Sequence, residues 1–204
     1  MDKYEDALSK ELTKLSDKAK LVFAALTCEH LYPNYIHFSN KTKWGNPENL
    51  RNTIDSIFIH LIENRLFDKE QIRIFRESVD LVTPNTDDFP EVMTSFALNA
   101  CTAILGTLDF IIEPKPESII EVAGYARDTV DMFVLVRDDF DSNDSNVEVR
   151  VEKDPLMIRE KHRQFNLIKK LSILDLSNIT DSLITSLRSD SDIIDGFSEQ
   201  IKSQ

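Results

Sequence analysis

The sequence predicts an all-α protein: a single-domain helical bundle of about seven to eight helices with a long C-terminal helix. Glycine occurs four times in 204 residues, and the hairpin dipeptides Asn-Gly and Asp-Gly are missing except at Asp195-Gly196. Apolar residues instead recur every three or four positions, the period of an amphipathic helix. A chain of this length can bury a core without disulfides or metal, so we expect one domain over residues 1–188 and a weakly structured tail over 189–204.

Two helices are predicted to open the chain, the first an amphipathic helix over residues 2–15. The second runs from about Asp17 to Leu31 and is apolar nearly all round, as expected of a helix in the middle of a bundle. Because Pro33 lacks a backbone N–H and clashes with the preceding turn, this helix should stop or kink there. A short helix over Tyr35 to Asn40 should follow.

Capping residues mark the helices in the middle of the chain. Asn46 can cap a helix that has Pro47 at its first position. Asp68 and Gln71 suit a capping box, and the helix that they open should end before Pro84.

Two further helices are predicted between residues 87 and 138. The carboxylates of Asp87 and Asp88 favour the positive end of a helix dipole, so the first of these helices should open there. Pro114 and Pro116 break the chain, and the second helix then runs to about Asp138.

The widest apolar arcs belong to the helix around Val22 to Leu31 and the helix around Phe96 to Leu108. We therefore expect these two helices to be the most buried. Each carries a cysteine, Cys28 and Cys101, in an apolar setting and without the spacing of a metal or redox pair. Both thiols are expected to be reduced and buried.

The last third of the chain begins with a segment rich in Asp, Ser and Asn. Residues 139–153 are predicted to form a polar loop, with a short strand as the alternative because Val147, Val149 and Val151 alternate with charged residues. Asp154-Pro155 then starts the long C-terminal helix of about thirty residues, which has a place to bend at residues 175–178.

Charge and hydropathy exclude several classes of partner. A net charge of −12 opposes the phosphate backbone, and Glu160 dilutes the one local basic cluster, Arg159 to Arg163, so no nucleic-acid binding is expected. The chain begins with charged residues, and no apolar run approaches the roughly 20 residues of a membrane span. We expect a soluble, cytoplasmic, acidic protein without a membrane partner.

Sequence motifs typical of catalytic, phosphate-binding and metal-binding sites are missing. The sequence has no Gly-rich phosphate loop, nucleophile elbow, Cys-x-x-Cys or His-Glu-x-x-His. A ferritin-like di-metal centre needs Glu-x-x-His pairs, whereas His60 precedes Glu63 in reverse order. We therefore expect no metal, no cofactor and no catalytic residue.

Glu29 is the polar residue that most needs an explanation, because it lies on the most apolar helix. A buried carboxylate requires a cation or several donors, and Arg51 is the candidate on the helix adjacent in sequence. The alternative is a surface ion pair of Arg51 with Asp55, one turn away. A buried cluster would make Arg51→Ala cost about 3–5 kcal/mol and a surface pair well under about 1 kcal/mol.

Three separated blocks resemble the YjaG-like family of bacterial proteins of unknown function. They are CEHLYPNY at residues 28–35, LRxxID at residues 50–55, and PxxDDF leading to ALNAC within residues 84–101. The resemblance covers about residues 20–185 and implies an all-helical bundle without supplying a reaction. Together with the burial argument it gives a candidate polar cluster of Glu29, Tyr32, Asn34, Arg51, Asp55 and Asn99.

Two positions depart from that family, which usually has arginine where His30 stands and aspartate where Asn99 stands. The loss of both charges suggests that the two positions are linked. Taken alone, His30 is interpreted as a helix-end residue favoured by the dipole, and Asn99 as a core amide bonded to a neighbouring backbone.

Two functional hypotheses follow. The first and leading hypothesis is a non-enzymatic helical domain that acts through protein contacts or self-association. The second is a small-molecule-binding or enzymatic pocket at the Pro33 helix break, lined by Glu29, Arg51 and Asp55. A concave site containing Glu29 would favour the second hypothesis, and a closed, satisfied cluster would favour the first.

Overall fold

The computed structural model describes residues 3–140, 146–188 and 193–194, and within these ranges the chain is helical, with no β-strand. The predicted all-α bundle is therefore confirmed. The described residues form nine helices rather than the predicted seven to eight: α1 (Lys3–Thr13), α2 (Asp17–Thr42), α3 (Pro47–Glu63), α4 (Lys69–Asp80), α5 (Val92–Ile112), α6 (Pro116–Arg137), α7 (Val147–Glu152), α8 (Pro155–Ile173) and α9 (Asp181–Leu187).

The bundle is organised around α2 and α5, which pack against each other over much of their length. Thirteen residues of α2 and eleven of α5 are buried, more than in any other described helix. The prediction that these are the two most buried helices is confirmed. α6 covers α5 closely at Gly106, where a Cβ atom would lie 3.3 Å from the Val122 side chain.

Helix α2 does not end at Pro33 but continues to Thr42, so the predicted stop and the separate helix over Tyr35 to Asn40 are wrong. Proline removes the hydrogen bond that its N–H would give to the Glu29 carbonyl. Burial on both sides of the proline offsets this loss, since Leu31 and Phe38 are fully buried.

The predicted caps at Asn46 and Asp68 are confirmed, each accepting a hydrogen bond from the backbone N–H two residues later. The helix start predicted at Asp154-Pro155 is also confirmed, and the Asp154 side chain caps it in the same way. Helix α5 begins five residues later than predicted. The Asn85 side chain instead accepts from the Asp87 backbone N–H in a turn, and Pro90 disfavours helical backbone in the residue before it.

The C-terminal part differs from the sequence expectation in two places. Residues 147–152 form α7 rather than a loop or strand, because Val147 and Val151 lie one turn apart and Val151 is buried. The predicted thirty-residue helix is divided into α8 and α9 at the expected bend, where the Asp175 carboxylate accepts a hydrogen bond from the Ser177 backbone N–H.

The predicted tail lies outside the described residues except for Ile193 and Ile194, and both of these are buried in the core.

The expectation that no apolar run approaches the length of a membrane span is wrong for α5. Among the described helices it alone is long and apolar enough to cross a membrane by length and composition. Half of its apolar window is buried inside the bundle, which is the pattern of a core helix.

Both cysteines are free and buried, as predicted. The Cys28 Sγ atom lies 3.2 Å from the Thr107 hydroxyl across the α2–α5 contact. Burial raises the pKa of both thiols to about 12.

We predict that a thiol reagent at pH 8 will not label Cys28 or Cys101 within minutes in the folded protein, because the reactive thiolate is scarce and shielded. Both should react at once in guanidinium chloride, which serves as the positive control. Fast labelling of either thiol without denaturant would contradict this burial.

Candidate functional site

A concave pocket of about 890 Å³ lies between α2, α8 and the C-terminal end of α9. It begins at Pro33, the proline within α2, and extends along one side of α8. Its lining residues come from these helices and their ends: Leu26, Glu29, His30, Pro33, Pro155, Ile158, Arg159, Glu160, His162, Arg163, Asn166, Leu167, Lys170, Leu187 and Arg188.

Glu160 is the buried charge of this pocket, with 3% of its surface exposed. The Arg163 guanidinium donates to both of its carboxylate oxygens, Nε to Oε2 and Nη2 to Oε1, each at 2.7 Å. The Gln164 amide donates to Oε1 at 2.8 Å, and the His30 Nε2 atom lies 3.4 Å from Oε2. The carboxylate is thus paired and hydrogen-bonded, as burial of a charge requires.

The surroundings of Glu160 keep its carboxyl group ionised. Burial alone would raise the pKa of Glu160, but the Arg163 guanidinium and the hydrogen bonds outweigh burial and hold that pKa well below its usual range. Burial also lowers the pKa of His30, although the adjacent Glu160 partly opposes this effect. At neutral pH the site therefore holds a neutral imidazole beside an ionised, paired carboxylate.

Gln164 connects this group to the rest of the bundle. Its side-chain nitrogen also donates to the Ala123 carbonyl of α6 at 2.9 Å, and its side-chain oxygen accepts from the Tyr4 hydroxyl of α1 at 2.8 Å. One buried network thereby joins α8 to α1, α2 and α6. We call Tyr4, His30, Glu160, Arg163 and Gln164 the Glu160 network.

Glu29 also lines the pocket, with 21% of its side chain exposed. Arg188, just after α9, donates to both of its oxygens, at 2.8 Å from Nε and 3.1 Å from Nη2. Arg51 reaches the same carboxylate at 3.5 Å and is bound more closely by Asp55. The Arg51 guanidinium also lies over the Tyr32 ring, 5.5 Å from its centroid.

The structure thus brings together Glu29, Tyr32, Arg51 and Asp55, four residues of the candidate cluster. The expected burial of Glu29 with Arg51 is wrong, because both side chains are partly exposed, and the main partner of Glu29 is Arg188. The reason is that Glu29, like Pro33, lines the open pocket rather than the core.

The other two members lie elsewhere. Asn34 is buried on α2, and its Nδ2 atom has no hydrogen-bond partner among the described residues. Asn99 donates to the Thr129 hydroxyl of α6 at 3.0 Å rather than to a backbone group.

The suggested link between His30 and Asn99 corresponds to no described contact, because His30 contacts Glu160 of α8. His30 is also not a helix-end residue, since α2 continues for twelve residues beyond it.

Sequence reasoning missed Glu160 and Arg188. Glu160 stands among Arg159, Lys161 and Arg163, and such a run of charges is typical of a solvated helix face. A signal was present in the spacing, since Glu160, Arg163 and Gln164 lie three and four residues apart on one face of α8. Arg188 contacts Glu29 across 159 residues of sequence, a separation that local patterns do not reveal.

The described residues contain no group of three or more His, Cys, Asp or Glu that could hold a metal ion. The carboxylates of the pocket are instead bound by guanidinium groups, at Arg163 and Arg188. Neither of these two carboxylates is free of a cationic partner.

We predict that Arg51→Ala will lower the free energy of unfolding by about 1 kcal/mol or less, because Arg51 is partly exposed and Glu29 keeps Arg188. The double variant Arg51→Ala/Arg188→Ala should lose more than the two single variants together, since Glu29 then loses both cations. Urea denaturation measures all three. A loss of 3–5 kcal/mol in Arg51→Ala alone would instead indicate a fully buried pair, as about that much is expected for one.

Comparison with known proteins gives a family but no activity. The uncharacterized protein YjaG of Escherichia coli (strain K12) is 25% identical to this chain over 182 residues, covering 88% of each protein. YjaG of Salmonella typhimurium shows the same identity and coverage. A solved structure of a DUF416 family protein from Shewanella baltica OS155 matches with a TM-score of 0.78 and 24% identity, covering 96% of this chain and 93% of that one, and so supports the fold.

The sequence profile of the family described as "Protein of unknown function (DUF416)" matches residues 7–198, nearly the whole chain. This match confirms the resemblance to YjaG-like proteins that the three sequence blocks indicated. The chain belongs to the DUF416 family of proteins of unknown function.

Proposed function

We propose that this protein is a non-enzymatic, small-molecule-binding protein whose ligand occupies the pocket between α2, α8 and the end of α9. The observation that carries the proposal is the concavity itself, which contains Glu29, His30 and Pro33 and has a volume of about 890 Å³. Ligand sites typically enclose about 300–1,000 Å³ and combine apolar walls with a few polar groups. Leu26 and Leu167 supply apolar wall here.

The charged groups in the pocket favour binding over catalysis. A general acid or base must exchange a proton near neutral pH, whereas the pKa of Glu160 is held far below that range by its partners. Burial lowers the pKa of His30, and its Nε2 atom faces Glu160. These groups are arranged to keep one charge state, which suits recognition of a ligand.

Protein contacts or self-association, the leading hypothesis from the sequence, are the alternative proposal here. The most exposed large apolar residues, Leu66, Leu81 and Ile173, lie in separate connections or helix ends. Exposed apolar residues that are scattered singly are ordinary on a protein surface. The pocket therefore has the stronger physical support. A cytoplasmic location and the lack of nucleic-acid and membrane partners remain predictions.

We predict that a pocket-blocking substitution will abolish ligand-induced stabilisation. Asn166 is an exposed residue of α8 that lines the pocket, so Asn166→Trp should fill its opening without disturbing the core. Lys169 is also exposed on the same helix and lies outside the lining, which makes Lys169→Trp the matched control.

The measurement is a thermal-shift screen of the full chain against a library of small organic anions, cations and neutral compounds. At least one compound should raise the Tm of the wild type and of Lys169→Trp while leaving Asn166→Trp unchanged, because only the last has a blocked site. The proposal fails if no compound raises the Tm, or if Asn166→Trp responds like the wild type. Circular dichroism checks that both variants are folded.

A further inference from the structure

Helix α8 is positively charged, although the protein as a whole is negatively charged. The chain carries a net charge of −12, yet α8 contains five Lys or Arg residues and one Glu. Part of this positive charge lines the pocket, at Arg159, Arg163 and Lys170. With Arg188, the lining holds four permanent cations against two carboxylates.

Both carboxylates in the lining are already neutralised within the protein. Glu160 is bound through both oxygens by Arg163, and Glu29 through both oxygens by Arg188. Such two-point guanidinium pairs are the strongest of the common ion pairs. A cationic ligand would have to displace one of these guanidinium groups to reach a carboxylate.

One positive charge of the pocket, on Lys170, is not neutralised in this way. Among the described residues Lys170 has no carboxylate partner, and the residue is exposed. It lies seven residues after Arg163, so the two share one face of α8. An anion entering beside Lys170 would gain a partner without breaking an existing ion pair.

The remaining wall of the pocket is apolar and would hold the uncharged part of a ligand. It is formed by one proline of α2, one proline of α8 and four aliphatic side chains: Leu26, Pro33, Pro155, Ile158, Leu167 and Leu187. Burial of apolar ligand surface against such a wall contributes the larger part of affinity, while the charged group fixes orientation.

We propose, on the basis of the proposed function, that the ligand is an organic anion: a carboxylate or phosphate monoester with an apolar body, whose charged group lies beside Lys170 of α8. The apolar body lies against Leu26 and Leu167. The long-range field of the acidic protein does not favour such a ligand, so its selection is local to this pocket.

The test uses four probes that share one aromatic ring and differ in charge: naphthoate, naphthyl phosphate, naphthamide and naphthylmethylammonium. Isothermal titration calorimetry on the full chain should give binding of at least one anion about tenfold tighter than the neutral amide. The comparison of naphthoate with naphthyl phosphate separates the carboxylate from the phosphate as the preferred group.

Lys170→Gln should weaken the bound anion by about fivefold, the effect of one exposed ion pair, and leave the amide unchanged. Lys169→Gln, an exposed neighbour outside the lining, is the matched control and should bind as the wild type does.

The results separate this inference from the proposed function. If the amide or the ammonium probe binds as tightly as the anions, or if Lys170→Gln has no effect on them, the ligand class is wrong while the pocket still binds ligands. If none of the four probes binds, the inference fails, and the thermal-shift screen with Asn166→Trp still decides whether the pocket binds anything else.

Discussion

The buried carboxylate of Glu160 is the constraint on which the arrangement of this protein depends. A charge that is 97% removed from solvent is tolerated only because Arg163, Gln164 and His30 all approach it. Those partners belong to α8 itself and to α2, and Gln164 extends the contacts to α1 and α6. The position of α8 is thus set by polar groups that must be satisfied, in addition to apolar packing. The pocket exists because α8 is held beside α2 at this distance.

The two sides of the pocket differ in how firmly their charges are held. The Glu160 side is buried and fully hydrogen-bonded, whereas the Glu29 side is partly exposed and depends on Arg188, which follows the short helix α9. The Arg188 guanidinium also lies over the Phe58 ring at 5.6 Å, so it is supported by α3 as well. The Glu160 side therefore acts as a fixed wall. The Glu29 side depends on fewer and more solvated contacts. If side chains move when a ligand binds, we therefore expect the movement on the Glu29 side.

Much of the fold could be predicted from the sequence because its signals are local. Asn46 and Asp68 cap their helices as predicted, and the apolar arcs identified α2 and α5 as the core. The errors occurred where a distant contact or a competing turn decided the outcome. Pro33 was expected to end α2, but tertiary burial on both sides outweighs one missing hydrogen bond.

The candidate site was harder to predict than the fold. Glu29, Tyr32, Arg51 and Asp55 do meet, since they lie on two helices that are consecutive in sequence. Asn99 lies elsewhere, bonded to Thr129. Glu160 stands in a run of charged residues, where burial is visible only once α2 and α8 are placed side by side.

The most direct test of the central role of Glu160 is the difference in unfolding free energy between the wild type and Glu160→Gln, measured from pH 7 to pH 3. Because the folded-state pKa of Glu160 lies below its usual value of 4.5, its stabilisation is present above that value and is lost as the pH falls through the folded-state pKa. The account predicts a difference that is large at pH 7 and shrinks towards pH 3, whereas a small difference, or one independent of pH, would contradict it.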